Sequence, residues 1–450
     1  NFKSIYNNAP FYFIIFYSHV IRMAGRVRLA VTGIQDQWLT GEPQFSYFIM
    51  NYRRHTRFAT EAVESPFDGR VGFGETLTCR IPNDTGDLVR SMMLKVTLDP
   101  LPASDTPLVS NVYNTTAGSR IIEHADLIIG GQVIERLTGE YIYMYDQLYN
   151  NKDDTTQTLY FMTGHGNHIQ FSDPYTFYVN LPFYFFRNPS LAIPMCAITK
   201  QLVEVRITFK PSDYKISYSY IKEFEDSPTW SVQPTNDGSI NSASLVTDYF
   251  FITDNEKSFL RTRPVEYVIT QLQIATIPFE PNNASRSVML NFQHPVKELL
   301  FMATLQERNL TPQDGGGPDI LGGIVAESDN TLYLSEKINI RSDTRSIKNI
   351  SLDFNGSKVF DHGRTHLAYQ QSLQYHTGCP SPAYEFYTYS FALKPEVYYP
   401  TGQVNMSRII HKKLSVELNE VDTLNDIFVN VYALNYNVLR IESGLAGLKF

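Results

Sequence analysis

Cysteine is scarce. Cys79, Cys196 and Cys379 are the only three in 450 residues, they stand more than a hundred positions apart, and they form no Cys-x-x-Cys pair. An odd, sparse count excludes a secreted disulfide scaffold and fits folding in a reducing compartment, with each thiol expected to act as a small buried hydrophobe. Charge is also thin: 19% of residues are charged, and 46 acids against 38 bases leave a net charge of −8. A protein whose main work is wrapping nucleic acid needs a net basic face, so that class is excluded. No run reaches the roughly twenty apolar residues of a membrane-spanning helix. The triple glycine Gly315–Gly317 lacks the Gly-x-x-x-x-Gly-Lys-Ser/Thr pattern of a phosphate cradle. No Gly-x-Ser-x-Gly nucleophile elbow occurs either. Helical periodicity is rare.

Aromatic residues and strand patterns take their place. With 29 Phe and 29 Tyr the chain is too apolar for wholesale disorder. Leu94-Lys-Val-Thr-Leu98, Val203-Glu-Val-Arg-Ile-Thr-Phe209 and Leu414-Ser-Val-Glu-Leu418 alternate apolar and polar residues, the period of a strand with one buried and one wet face. Tyr267–Ile274 and Ile427–Leu434 are the β-branched and aromatic runs that strands favour. Turn signals separate them, among them Gly130-Gly131 and Asn355-Gly356. Two short helices are predicted. One covers Glu140 to Leu148, with Ile142, Tyr145 and Leu148 on one apolar face; the other begins with Asp254 as N-cap and stops before Pro264. The second is read as a linker, 254–263, between two β-domains at 25–253 and 264–450. Each is of a size, about 190–230 residues, that one all-β sandwich can reach. Polar stretches at 211–245 and 305–331 are read as exposed crowns.

The segment 1–22 holds the apolar run Pro10–Tyr17 and is followed by Met23. Arg22, Arg26 and Arg28 make a poor signal-cleavage zone, so this segment is expected to be an upstream extension outside the fold. Histidine pairs raise the possibility of a metal-binding cupin. His165 and His168, at i and i+3, point to opposite faces of a strand; His362 and His366 flank a loop-like Gly363-Arg364; and no third ligand is indicated. No metal and no cofactor are therefore expected. Seven Asn-x-Ser/Thr triplets begin at Asn83, Asn114, Asn283, Asn309, Asn349, Asn355 and Asn405. Glycan attachment is a possibility at Asn283, Asn349 and Asn355 and is best at Asn309, in the glycine-rich loop. The densest cationic feature is Arg53, Arg54 and Arg57 beside Tyr52, within an aromatic stretch 45–58. Arginine beside aromatic residues serves nucleic-acid grooves and protein interfaces alike; the acidic balance favours an interface, or a patch facing anionic lipid.

A series of segments resembles a known family. Gln35-Asp-Gln-Trp-Leu-Thr-Gly41, Tyr52-Arg-Arg54 and Val71-Gly-Phe-Gly74 come first, then Ile129-Gly-Gly-Gln132, Phe185-Phe186 and Pro189-Ser-Leu-Ala-Ile-Pro194. Glu266-Tyr267, Gln271-Leu-Gln273, Leu290-Asn-Phe-Gln-His-Pro295 and Tyr389-Ser-Phe-Ala-Leu-Lys-Pro395 follow, and Asn435-Tyr-Asn-Val-Leu-Arg-Ile441 with Ser443-Gly444 ends the series. In this order, over about residues 23–450, they resemble the major capsid proteins of nucleocytoplasmic large DNA viruses, the phycodnavirus and giant-virus double jelly-roll family. The resemblance implies an all-β chain of two consecutive eight-stranded antiparallel jelly rolls with a few short helices. It implies a non-enzymatic subunit of the virion, assembled in the host cytoplasm. Three copies would form a pseudo-hexagonal capsomer that meets neighbouring capsomers, minor capsid proteins and an internal membrane surface, with no sequence-specific contact to nucleic acid. The amino-terminal segment, and with it the arginine patch, would face inward. The rival expectation is an exported jelly-roll module that binds carbohydrate.

Overall fold

The computed structural model describes residues 29–450 apart from 32, 51, 53, 103–108, 114–115, 151–157, 160, 165–172, 213–216, 223–229, 235–237, 281–282, 307–346, 381–385 and 420–425. The chain divides into a unit that ends at Thr56 and a unit from Arg57 to Phe450. In the first, a short helix α1 (Ile34–Thr40) starts at Gly33, whose backbone N–H donates to Asp36 Oδ2 at 2.8 Å. None of its residues is buried.

The second unit is built from strands. Its first half contains β1 (Phe58–Pro66), β2 (Thr76–Ile81), β3 (Leu88–Leu98), β4 (Val109–Tyr113), β5 (Ile122–Ile129), β6 (Gln132–Thr138), β7 (Tyr175–Asn180), β8 (Val203–Phe209), β9 (Ser217–Lys222), β10 (Trp230–Pro234) and β11 (Ile240–Ile252). Its second half contains β12 (Val265–Phe279), β13 (Ser285–Met289), β14 (Pro295–Gln306), β15 (Ile347–Phe354), β16 (Ser357–Gly363), β17 (Tyr387–Ser390), β18 (Val404–Asn405), β19 (Lys412–Leu418), β20 (Asp426–Glu442) and β21 (Leu445–Leu448). In the first half, antiparallel sheets run β1-β11-β3-β7 and β2-β8-β5-β6; in the second they run β12-β20-β14-β17 and β13-β19-β15-β16. With β4, β9, β10, β18 and β21 set aside, the eight principal strands of each half have the order 1-8-3-6 over 2-7-4-5. That is a jelly roll, and the chain carries two.

Alternation positions the cores. Val203, Val205, Ile207 and Phe209 are wholly buried while the residues between them are not. Leu414, Val416 and Leu418 repeat the pattern on β19. The β5–β6 and β15–β16 hairpins turn on Gly130-Gly131 and Asn355-Gly356, all four with positive φ, which a two-residue hairpin matched to strand twist requires. Burial splits into two clusters. The second jelly roll has its own core around Phe279, Phe301 and Leu352. The first jelly roll's core is continuous with Leu300, Met302, Phe386 and Tyr432 of the second half.

The stretch 211–245, read as a polar crown, contains the β9–β10 hairpin, which extends a three-stranded sheet with β4, and the first residues of β11. Its Ser-Tyr alternation concealed strands beneath a polar composition. The stretch 305–331 lies outside the described residues from 307 onward. Cys79 and Cys196 are buried, but Cys379 is partly exposed. After a single helical turn α2 (Ala117–Arg120) comes α3 (Gly139–Tyr149), predicted with one apolar face and found with ten of eleven residues buried. Helix α4 (Asp254–Thr262) takes Thr253 rather than Asp254 as N-cap; in its capping box the Thr253 backbone N–H donates to Glu256 Oε2 at 3.3 Å, and the Thr253 hydroxyl donates to the same oxygen at 2.9 Å. In the second half a π turn, His366–Gln370, runs into α5 (Gln371–Tyr375). Among the described residues no helix is long and apolar enough to cross a membrane.

Candidate assembly surfaces and the seam between the barrels

Helix α3 explains how the two barrels adhere. A helix on a globular surface keeps a wet face; α3 keeps almost none, because the sheet β12-β20-β14-β17 covers the side that its own barrel leaves open. Tyr143 meets Phe386 edge-on at 6.2 Å between ring centroids. Glu140 Oε2 accepts from Asn430 Nδ2 at 2.9 Å and from the Tyr432 hydroxyl. The Gly378 N–H donates to the Leu148 carbonyl at 2.7 Å, so a loop of the second barrel caps the C-terminal end of the helix. A Cβ at Gly378 would lie 2.0 Å from the Gln147 carbonyl oxygen, which makes glycine obligatory for this approach. Beside the helix, Gln271 Nε2 donates to the Ile134 carbonyl at 2.5 Å, and the Ala446 N–H donates to Gln201 Oε1 at 2.7 Å.

Ionisable groups are concentrated in the same seam. Tyr149 donates to Glu298 Oε1 at 3.3 Å, and Lys297 Nζ lies 3.6 Å from that oxygen while donating to the Pro395 carbonyl at 2.8 Å. His376 sits between two carboxylates, its Nε2 3.2 Å from Glu298 Oε2 and its Nδ1 3.6 Å from Glu396 Oε1. These are ion-pair distances without hydrogen-bond alignment. Burial pulls the imidazole down, but contact with Glu298 and Glu396 more than reverses this and raises it to about 9. Burial pushes Glu298 up, yet Lys297, His376 and Tyr149 together hold it below the usual carboxylate value. Burial drives Glu135 up to about 8, against the Tyr184 N–H and Lys297. It drives Asp146 up to about 7, against Arg187. The Arg187 guanidinium lies 4.8 Å from the Tyr149 ring centroid and 5.4 Å from that of Tyr145, and it also donates to the Tyr149 carbonyl. Nothing in the local sequence marks these residues; Lys297-Glu298 reads as two ordinary charges on a strand.

The residues singled out from sequence fall elsewhere. Tyr52 and Arg54 are exposed in the first unit, Arg57 is exposed at the start of the second, and Arg53 lies outside the described residues. The His362 and His366 rings lie with centroids 4.0 Å apart, tilted by 37°, and burial together with the neighbouring His362 lowers His366. His165 and His168 lie outside the described residues. Among the described residues no three His, Cys, Asp or Glu side chains converge in a group that could hold a metal. Of the triplets, Asn309 and Asn114 also lie outside. Asn283 and Asn405 are exposed, and their side-chain oxygens accept from the backbone N–H of Ser285 and Ser407. Asn355 is exposed at a hairpin tip, and Asn349 Nδ2 donates to Asp361 at 2.6 Å. Asn83 is half-buried.

Comparison with known proteins assigns the double barrel. Residues 46–253 match the family described as "Major capsid protein N-terminus", and residues 256–447 match "Large eukaryotic DNA virus major capsid protein". The major capsid protein of Pyramimonas orientalis virus is 31% identical over 95% of this chain and 99% of its own length. The chain belongs to the major capsid proteins of large eukaryotic DNA viruses. The major capsid protein of Paramecium bursaria Chlorella virus 1 is 29% identical over 95% of this chain and 100% of its own. A solved structure, a quasi-atomic model of the PBCV-1 virus capsid, matches with a TM-score of 0.68 at 25% identity, covering 90% of this chain and 100% of that one. This capsid protein is therefore a structural subunit of a virion, and its seam joins the two barrels of a shell component.

Proposed function

We propose that this capsid protein works without enzymatic activity as a homotrimer, a pseudo-hexagonal capsomer in which three chains supply six barrels. The observation that carries the reading is the repeated strand order, 1-8-3-6 over 2-7-4-5, in two barrels of which the second has its own core and the first has a core that continues into residues of the second. Two like barrels fixed rigidly together occupy two of six corners, and closed three-fold symmetry stops growth there, leaving weaker lateral contacts to tile capsomers. The aromatic richness fits large obligate interfaces, since Tyr and Phe supply contact area with few rotatable bonds. Arg53, Arg54 and Arg57 with Tyr52 serve as an inward contact for minor capsid proteins or the anionic surface of an internal membrane. Light scattering on the purified chain is expected to give three times 51.5 kDa. A monomer at all concentrations would refute the capsomer. Replacing the three arginines by alanine is expected to leave that trimer intact and lower particle yield; an unchanged yield refutes the inward role.

A further inference from the structure

His376, Thr377 and Gly378 form a short strap from the end of α5 to the C-terminal end of α3. The His376 N–H donates to the Ser372 carbonyl at 2.8 Å, which anchors the strap in the second barrel. The Gly378 N–H donates to the Leu148 carbonyl at 2.7 Å, which ties it to the helix of the first. A Cβ at Gly378 would meet the carbonyl oxygens of Gln147, Asn150 and Leu148 at 2.0, 2.7 and 3.0 Å, so the strap sits directly on the helix end. Between the two ties Thr377 is exposed, and one side chain takes both its donors: the N–H donates to Glu396 Oε1 at 2.7 Å and the hydroxyl to Glu396 Oε2 at 2.6 Å. Glu396 belongs to the connection after β17, where Lys297 Nζ holds the neighbouring Pro395 carbonyl at 2.8 Å.

The His376 ring balances this carboxylate. Its side chain is 1% exposed, with Nδ1 3.6 Å from Glu396 Oε1 and Nε2 3.2 Å from Glu298 Oε2. Other ionisable groups surround the set. Lys297 of β14 lies 3.6 Å from Glu298, and Tyr149 of α3 donates to Glu298 while its ring stands 5.9 Å from the imidazole. Arg187 lies over Tyr149 and within electrostatic reach of Asp146; Tyr141 of α3 and Tyr436 of β20 are within reach of Glu298. A protonated His376 and Lys297 face two carboxylates, and the set is neutral. Loss of the imidazole proton leaves two carboxylates to one ammonium, and an uncompensated charge in a buried site is costly. Glu298 is 1% exposed and keeps Lys297 and Tyr149, whereas the Glu396 side chain is 20% exposed and can turn to water.

We propose that the strap His376–Gly378 is a proton-controlled catch on the join between the barrels. With His376 protonated, Glu396 stays in place and the strap holds α3; when the proton is lost, Glu396 swings out, Thr377 is freed, and the strap lifts from the helix while both barrels stay folded. Burial pulls the imidazole down, but contact with Glu298 and Glu396 overrides this and raises it to about 9. The catch is therefore fully closed below the ordinary histidine value and opens as pH rises through about 9. Its opening is local, which separates it from a general loss of stability with pH.

Hydrogen exchange read by mass spectrometry on the purified chain tests the catch. After correction for the intrinsic rate, a peptide spanning 374–380 and the C-terminal turn of α3 are expected to exchange faster by up to about tenfold per pH unit between about pH 7 and 9, while β8 and β19 stay protected. His376→Gln, uncharged at every pH, is expected to exchange in the strap at pH 7 as fast as wild type does near pH 9, with a flat corrected rate between. Glu396→Gln keeps an acceptor for the Thr377 N–H but removes the carboxylate that must leave. It is expected to fold and to lose most of the pH slope, and it decides the matter alone if His376→Gln does not fold. Corrected exchange in the wild-type strap that is flat, or that rises only in step with β8 and β19, overturns the catch. So does a wild-type slope in either variant.

Discussion

At the scale of single residues, the seam relies on buried charges that are each held by partners. Within the second barrel, away from the seam, Lys412 Nζ donates to the carbonyls of Phe292, Met406 and Ile409 at 3.0, 2.9 and 3.2 Å, a buried ammonium satisfied in the same way. Glu298 answers to Lys297, His376 and Tyr149, and both ends of that set lose if it is removed. Breaking a buried ion pair from one side strands the remaining charge, at about 3–5 kcal/mol. Glu298→Ala is accordingly expected to destabilise the protein by about that amount, more than replacing the exposed Glu417 of the Lys348–Glu417 surface pair, worth about 0–1 kcal/mol. Chemical denaturation of the two variants against wild type provides the check. Equal losses would mean that the Glu298 cluster is no more than a surface pair in effect.

At the scale of elements, α3 and the loop that caps it form the join. Gly378 approaches the carbonyls at the C-terminal end of α3 so closely that any side chain forces the loop away, and overpacking of this kind costs about 1–3 kcal/mol. Gly378→Ala is expected to lower the melting temperature and to raise amide exchange at Gly378 and along α3; unchanged exchange would show that the loop adapts freely. The elements were readable from sequence to different degrees. Strands such as β8 and β19 were plain, because each buries one face against its own barrel and the alternation records that. Hairpin turns at Gly130-Gly131 and Asn355-Gly356 were plain because positive φ favours so few residue types. The second face of α3 was not readable. Its partner sheet lies more than a hundred residues away, and Glu140, Asp146 and Gln147 resemble a solvated stripe, although Glu140 meets Asn430 and Tyr432 of that sheet and Asp146 is buried near Arg187. The same blindness hid Glu298 and His376 and left the arginines of 53–57 as the best local signal. A local pattern reports a local environment, and the seam is not local.

At the scale of the whole molecule, proton binding in the seam sets a direction for stability against pH. His376 is raised to about 9, Glu135 to about 8 and Asp146 to about 7, so each binds its proton more tightly when folded. For such groups the stabilisation is complete below the unfolded pKa and is lost as pH rises through the folded one. Glu298 and Glu396 are lowered, and their contribution is lost only as pH falls below the ordinary carboxylate range. The two trends cross near the ordinary glutamate value, so stability is expected to peak around pH 5 and to decline steadily to about pH 9. Glu135 isolates the cause. It faces the Tyr184 N–H, Lys297 and Tyr141, and glutamine at this position keeps an acceptor for that N–H while remaining neutral at every pH. Glu135→Gln should therefore match wild type near pH 5 and exceed it by a growing margin, on the order of a few kcal/mol, as pH approaches about 8. Calorimetric melting of the two proteins across this range decides the matter. A constant offset, or a variant that weakens as pH rises, would show that Glu135 is charged in the folded protein and that the seam is not tightened by protons.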